Sequence, residues 1–186
     1  MILSFYGIKI GKNFYIEGTP KLKINGKPEN IIIENNVSIL GNIDLRNREN
    51  GKIIIRNNVM IEDGCRFVSA REGTIEIGES SIITTLAIFN GGGDIIIGKK
   101  CVFGARCSIN SNEHIFSKDT FIQDSGYIFK SVIIEDGCWI TTNVSINKGV
   151  CLGKGSIIAS GAVVTKSTEK NSIYGGIPAK KIGERI

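Results

Sequence analysis

A six-residue repeat of aliphatic side chains constrains the fold of this chain more than any other feature. Between residues 134 and 164 an aliphatic residue returns at every sixth position: Ile134, Ile140, Ile146, Leu152, Ile158 and Val164. Most residues four places later are small or aliphatic, such as Cys138 and Ala162. A period of six matches neither the ~3.6 of a helix nor the ~2 of a single strand. It predicts three short strands per turn of a parallel β-helix, with each repeated residue, here called a ladder residue, pointing inward.

The ladder is also present upstream, in groups of three with extra residues between them. The upstream groups are Ile33, Ile39 and Leu45; Ile55, Ile61 and Phe67; Ile77, Ile83 and Phe89; and Ile97, Phe103 and Ile109. Each insertion follows the third residue of a group, so all insertions are predicted to leave one corner of a triangular coil. The last insertion, residues 111–131, is too long for a corner and predicts a loop extruded from the solenoid. Insertions on one face of a repeat protein often form its binding face.

The ladder divides the chain into three predicted segments. Residues 1–30 carry a weaker pattern, which predicts an N-terminal cap of irregular strands that closes the end of the solenoid. Residues 31–166 form the β-helix and include the loop 111–131. Residues 167–186 predict a C-terminal cap, with a turn near Pro178 and then a short helix or an extended tail.

Composition and cysteine positions exclude several classes of protein. The net charge is only +5, and no apolar run approaches the ~20 residues that span a bilayer. The first residues lack the pattern of a secretion signal, and no aromatic-studded basic motif supports a nucleic-acid partner. No CxxC pair occurs, and four cysteines fall in the inward slot four residues after a ladder residue: Cys65, Cys101, Cys107 and Cys138. We therefore expect reduced cysteines that pack the core of a cytoplasmic protein.

His114, the only histidine, lies in the one long insertion. One hypothesis makes it a general base, because a neutral imidazole can accept the proton of an attacking hydroxyl, with Glu113 orienting the ring. The alternative is a surface histidine without a role. A single histidine per chain does not supply the three ligands of a catalytic zinc site, so no metal is predicted.

Three further features each allow two interpretations. Trp139 lies five residues after Ile134, where the side chain should point outward, and an exposed tryptophan indicates a subunit interface or a ligand contact. The basic residues after the last coil form either a solvated tail or a phosphate-binding end for a nucleotide-like cofactor. The aromatic residues of the long insertion either stack on sugar faces or pack the loop: Phe116, Phe121, Tyr127 and Phe129.

Residues 133–182, from IIEDGCWITTNV to GGIPAKKI, resemble the C-terminal half of the bacterial hexapeptide-repeat acyltransferases. The segment SNEHIFSKDTFIQDSG, residues 111–126, resembles the loop of their polysaccharide O-acetyltransferase branch, where an acidic residue precedes the catalytic histidine and a glutamine follows. The resemblance covers about residues 31–182. It implies a left-handed parallel β-helix and a homotrimer with sites at the subunit interfaces. It also implies acetyl-CoA along the outer face of the C-terminal coils.

The same resemblance assigns roles to individual residues. It makes His114 the catalytic base, has Trp139 line the acyl channel, and places Asn90 and Gln123 near the acceptor. The residues implied to contact pantetheine or the CoA phosphates are Thr141, Thr142, Ser160, Gly161, Lys166 and Lys180. Thr141 departs from the family pattern, in which glycine is usual at this position.

The predicted function is that of an acetyl-CoA-dependent O-acetyltransferase. Its acceptor would be a hydroxyl of a cell-surface saccharide, such as a capsular, O-antigen or sialic acid unit, which attacks the thioester directly. The core positions of the cysteines argue against an acyl-enzyme intermediate. Two alternatives stay open: an N-acetyltransferase of an amino-sugar nucleotide, and an inactive β-helix that only binds.

Overall fold

The strands of this protein are short because each spans one side of a triangular coil. The computed structural model describes residues 2–186, with one four-residue helix, α1 (Ile2–Phe5), and two 3₁₀ turns, Pro28–Asn30 and Ile122–Asp124. The strands are, in chain order, β1 (Lys9–Ile10), β2 (Tyr15–Ile16), β3 (Pro20–Gly26), β4 (Ile31–Ile33), β5 (Ser38–Leu40), β6 (Ile43–Glu49), β7 (Lys52–Ile55), β8 (Met60–Glu62), β9 (Cys65–Ser69), β10 (Thr74–Ile77), β11 (Ile82–Ile83), β12 (Ile88–Gly91), β13 (Ile95–Ile97), β14 (Val102–Phe103), β15 (Ser108–Asn110), β16 (Asn112–His114), β17 (Tyr127–Phe129), β18 (Val132–Ile134), β19 (Trp139–Ile140), β20 (Ser145–Ile146), β21 (Cys151–Leu152), β22 (Ile157–Ile158), β23 (Val163–Val164), β24 (Ser172–Gly176) and β25 (Ala179–Glu184).

Successive strands join three sheets in turn, so the chain winds as a solenoid. The first sheet has the order β1-β4-β7-β10-β13-β18-β21, and the third contains β3-β6-β9-β12-β15-β20-β23. The second sheet runs β2-β5-β8-β11-β14-β19-β22-β24-β25. Neighbouring strands are parallel except for the last pair, β24 and β25. The predicted fold class, an all-β parallel β-helix of hexapeptide repeats, is confirmed.

The ladder residues form the core. From Ile134 to Val164, each is at most 1% exposed. Three upstream ladder phenylalanines pack on one another, with the rings of Phe67 and Phe89 stacked at a centroid distance of 4.8 Å. The predicted inward cysteines are buried, whereas Cys151 lies on the outer side of its strand and is half-buried. The six-residue period therefore predicted the direction of each of these side chains.

All four insertions leave the corner between the third and first sheets, as predicted. The first two lengthen the third-sheet strands β6 and β9, and the fourth separates β15 from β18. The corner between the first and second sheets is instead uniform. It is built from residues with positive φ, such as Asn36 and Asn58 (57° and 59°), whose amides hydrogen-bond between coils at 3.1 Å.

Both ends of the chain are more regular than expected. Residues 9–26 do not form irregular strands of a cap: β1, β2 and β3 pair in register with β4, β5 and β6 as a complete first coil. The C-terminal segment is extended and contains no helix, because β24 and β25 form a hairpin that adds to the second sheet.

Among residues 2–186, no helix has the length and apolar character needed to cross a bilayer.

Candidate active site

The long insertion is an antiparallel hairpin rather than an irregular loop. Strands β16 and β17 pair Asn112 with Phe129 and His114 with Tyr127. The base of the hairpin is fixed by Ser111, whose buried hydroxyl accepts hydrogen bonds from the backbone N–H groups of Gly92 and Gly93 at 3.2 and 3.1 Å. This role was not predicted. The one signal for it in the sequence is that Ser111 lies two residues after the ladder residue Ile109. A buried, satisfied hydroxyl holds the hairpin on the preceding insertion.

Phe129 packs the hairpin against the solenoid. The guanidinium carbon of Arg71 lies 4.5 Å from the centroid of its ring, a cation–π arrangement. A Cβ placed on Gly92 would lie 2.3 Å from the same ring, so this position has room only for glycine. Of the two interpretations of the loop aromatics, packing therefore holds for Phe129, whereas Phe116 and Phe121 are exposed.

His114 is half-buried at the end of β16. Its ring lies against Tyr127, with centroids 4.1 Å apart and planes tilted by 41°. The Nδ1 atom is buried and has no hydrogen-bond partner among residues 2–186. Buried polar atoms are hydrogen-bonded in most folded proteins, so this nitrogen is open to a hydrogen bond from outside residues 2–186, such as one to water, a ligand or another chain.

The His114 cavity is the open space of about 550 Å³ beside the third sheet. This volume is within the range of small-molecule sites. Its polar and aromatic lining includes Arg48, Glu49, Arg71, Asn90, Asn112, Glu113, His114, Tyr127 and Phe129. The structure thus brings Asn90 and His114 into the lining of one cavity. Gln123 is exposed in the turn between β16 and β17 and does not line the cavity.

Glu113 does not contact the imidazole of His114 through a hydrogen bond or an ion pair. Its carboxylate forms an ion pair with the Nζ of Lys148, a residue just after β20. Successive side chains of a strand point to opposite sides, which separates Glu113 from its neighbour in sequence. The ion pair links the hairpin to the next coil of the solenoid, a contact that the sequence did not reveal.

The predicted cofactor residues lie mainly on the second sheet and the corner that follows it. Trp139 is 50% exposed and lies in register between Val102 and Ile157 on the outer face of the second sheet. At the corner, the Ser160 hydroxyl donates to Thr141 Oγ1 at 3.1 Å, and Thr141 donates to the carbonyl of Ile158 at 2.7 Å. Gly161 has no neighbouring atom within 4 Å of the position of a Cβ. These residues leave an open strip.

A cation is available at the far end of this strip. Lys180 is on β25, three strands beyond β19 in the second sheet, roughly 14 Å at about 4.8 Å per strand. Neither Lys180 nor Lys166 has an acidic partner within residues 2–186, whereas Lys181 is paired with Glu169 and Glu184 at 2.7 and 2.9 Å. Lys180 belongs to the second sheet, whereas Lys166 comes just after the third-sheet strand β23. The indole, the small residues and the cation fit an extended thioester that ends in phosphates.

Within one chain, the His114 cavity and the predicted cofactor-binding residues are separate. The His114 cavity is beside the third sheet and includes none of the predicted cofactor-binding residues. Trp139 projects from the second sheet. In the part of the chain that the structure describes, no cluster of three or more His, Cys, Asp or Glu side chains is arranged as metal ligands.

Comparison with known proteins gives matches among solved structures. No protein-family profile matches the chain. The polysialic acid-specific acetyltransferase NeuO superimposes with a TM-score of 0.69 at 24% identity, over 96% of this chain and 86% of NeuO. The polysialic acid O-acetyltransferase OatWY gives 0.59 at 26% identity, over 96% and 88%. A hexapeptide-repeat acetyltransferase from Vibrio cholerae O1 biovar eltor, solved with acetyl-CoA, gives 0.56 at 30% identity, over 60% of this chain and 61% of that one.

Structures with this fold include transferases to nitrogen as well as to oxygen. The N-acyltransferase AntD from Bacillus cereus, solved with dTDP and coenzyme A, is 21% identical with a TM-score of 0.66, over 100% and 88% of the two chains. At that identity the likeness shows the fold alone. The resemblance to hexapeptide-repeat acyltransferases stated from the sequence is confirmed. The proteins that this chain is similar to are acyltransferases, and several were solved with CoA or acetyl-CoA bound.

Proposed function

We propose that this protein is an acetyl-CoA-dependent O-acetyltransferase that acetylates a saccharide hydroxyl in the cytoplasm. The observation that carries the proposal is the position of His114, which lines an open cavity together with amide and aromatic side chains suited to a sugar. The similarity to OatWY, a polysialic acid O-acetyltransferase at 26% identity, supports a saccharide acceptor. An amino-sugar nucleotide is the alternative acceptor, and the same assay tests it.

The residues of this chain have distinct roles in the proposed reaction. Acetyl-CoA supplies the acyl group as a thioester. The acceptor is held in the His114 cavity by Asn90, and Asn112 lies 3.4 Å from the Asn90 amide. The imidazole takes the proton of the attacking hydroxyl and returns it to the leaving thiolate, a form of assistance typically worth about 10²–10⁴-fold. A hydrogen-bond acceptor at Nδ1 would keep a proton on that nitrogen and leave Nε2 free as the base.

We further propose a homotrimer in which the site forms between chains. The support is that His114 and Trp139 belong to different sides of one solenoid, and that the buried Nδ1 lacks a partner. In this arrangement Trp139 and the strip from Thr141 to Gly161 hold pantetheine, and Lys180 holds a phosphate. Thr142 borders the strip, since its carbonyl accepts a hydrogen bond from Gly161 at 3.0 Å. Lys166 and Gln123 lie outside both the His114 cavity and this strip. Glu113 keeps the hairpin on the solenoid through its ion pair with Lys148.

Replacement of His114 tests the base assignment. We expect His114→Ala to lower kcat for thiol release from acetyl-CoA by about 10²–10⁴-fold, with an unchanged Kd for CoA. Thiol release is followed with a panel of hydroxyl and amino-sugar acceptors, and Kd is measured through the fluorescence of Trp139, the only tryptophan.

The matched control is Lys118→Ala, an exposed change in the same hairpin. Full turnover by His114→Ala would contradict the role of the histidine. Wild-type protein that transfers only to amines would replace the O-acetyltransferase proposal with the N-acetyltransferase one.

A further inference from the structure

Two arginines line the His114 cavity although neither belongs to the hairpin that carries the histidine. Arg48 lies in the first insertion and Arg71 in the second, and these insertions stack because β6 pairs with β9 from Ile43–Cys65 to Asn47–Ser69. The chain places the two cations on successive coils at the corner from which the hairpin leaves. Neither guanidinium takes part in an ion pair within residues 2–186, unlike Arg46, which pairs with Asp44 at 2.6 Å.

The remaining charges of the cavity cancel only part of the positive charge of the two arginines. Glu113 is neutralised by Lys148 on the side of the next coil. Glu49 is the other carboxylate of the lining, and it suits sugar hydroxyls as a hydrogen-bond acceptor. Two guanidinium groups without an ion-pair partner in residues 2–186 therefore line a space that also contains two amides and two aromatic rings, and Glu49 offsets only one of their charges.

We propose that the acceptor carries an oxyanion and that Arg48 and Arg71 bind it while a hydroxyl of the same molecule faces His114. The planar guanidinium donates two parallel hydrogen bonds to a carboxylate or a phosphate, which gives orientation as well as affinity. This inference rests on the proposed function, because it concerns the acceptor of the same reaction. The oxyanion has two possible sources: the carboxylate of an acidic sugar, or the phosphate of a nucleotide sugar.

Arg71 also has a structural contact, which decides which variant is informative. Its guanidinium lies over Phe129, so its loss also loosens the hairpin. Arg48 has no aromatic partner within residues 2–186, and it is exposed. Arg48→Gln therefore removes a positive charge from the cavity without removing a known packing contact.

The test compares an acidic saccharide with its neutral ester. The probes are a trisaccharide of sialic acid, its methyl ester, and UDP-N-acetylglucosamine as the phosphate source. With wild type, we expect KM for the acid to be about tenfold or more below that for the ester. Arg48→Gln should raise KM for the acid by about tenfold and leave the ester unchanged, while kcat changes little. The charge control is Lys12→Gln, an exposed lysine on the first coil outside the cavity.

Each outcome supports or overturns the proposal. Arginine dependence confined to the trisaccharide supports a carboxylate, and dependence confined to the nucleotide sugar supports a phosphate. Equal effects of Arg48→Gln on all three probes, or transfer to neutral acceptors alone, overturn it. Calorimetry with the trisaccharide in the absence of acetyl-CoA distinguishes failure of the proposed function from failure of this inference alone. Binding that depends on Arg48 without any transfer contradicts the proposed function, whereas transfer that does not depend on Arg48 contradicts only this inference.

Discussion

At the scale of single residues, the direction of a side chain relative to the solenoid decides its chemistry. Four cysteines point inward and are buried, and burial raises the pKa of Cys65 to about 11. Cys151 is one residue out of phase with the ladder and lies on the outer face of β21. A thiol reacts as its thiolate and only where a reagent reaches it, so burial keeps the four inward thiols inert in the native protein.

We therefore expect one reactive thiol per native chain. Ellman's reagent should label Cys151 alone. The rate should increase with pH as the thiolate forms, at a higher pH than for a free cysteine, because partial burial, and then Glu135, raises the pKa of this thiol. Cys151→Ser should abolish labelling of the native protein, and denaturant should expose all the other thiols. Rapid labelling of native Cys151→Ser would show that the core opens, contrary to the packing of the ladder.

At the scale of elements, the hairpin is held to the solenoid by contacts at its base. Ser111 accepts hydrogen bonds from Gly92 and Gly93, Phe129 packs on Gly92 and Arg71, and Glu113 pairs with Lys148. The contacts of Ser111 and Phe129 hold the hairpin on the preceding insertions, and that of Glu113 joins it to the next coil. The position of His114 therefore depends on packing between insertions that are distant in sequence.

Gly92→Ala should release the hairpin from the solenoid. The new Cβ would overlap the ring of Phe129 and cost about 1–3 kcal/mol, as overpacking does elsewhere. We expect faster hydrogen exchange across residues 112–129 and a lower kcat. Gly93→Ala is the matched control, because the nearest atoms to its Cβ are 3.5 Å away.

A double-mutant cycle checks the cause of this effect. In a Phe129→Ala background, Gly92→Ala should add little further exchange, because the ring that it displaces is gone. An equal effect of Gly92→Ala in both backgrounds would show that the strain lies elsewhere.

At the scale of the whole molecule, the proposed site needs two chains. His114 and Trp139 are on different sides of the solenoid. A chain without Trp139 can therefore supply His114 to a shared site, while a neighbouring chain without His114 supplies Trp139. Co-expression of His114→Ala and Trp139→Ala chains in equal amounts should restore about one quarter of wild-type activity, since each interface pairs chains at random. Each variant alone should be nearly inactive.

The oligomeric state provides an independent check on the complementation. Sedimentation velocity should show a trimer at micromolar concentration for wild type and for both variants. A monomer with full activity, or mixed chains without any recovery, would contradict a site shared between subunits.

Much of the fold was predictable because it follows from a local rule. A residue that recurs every sixth position must point inward in every coil, so the ladder predicted the three sheets, the inward cysteines and the outward Trp139. The same six-residue step runs through Ile10, Ile16 and Leu22, so the segment predicted to be an irregular cap is a first coil that obeys the same rule. The C-terminal hairpin was not predicted because β24 is held by pairing with β22, not by a repeat of its own.

The sequence alone determined which residues face the core, where the insertions leave, and that His114 is in the longest of them. Only the tertiary structure showed that Glu113 pairs with Lys148, that Gly92 gives room to Phe129, and that Arg48 and Arg71 share a cavity with His114. The physical reason is that the ladder acts within each coil and has a fixed period, whereas the insertions have none. Their side chains meet through the stacking of coils about 20 residues apart, and stacking depends on the register of whole sheets.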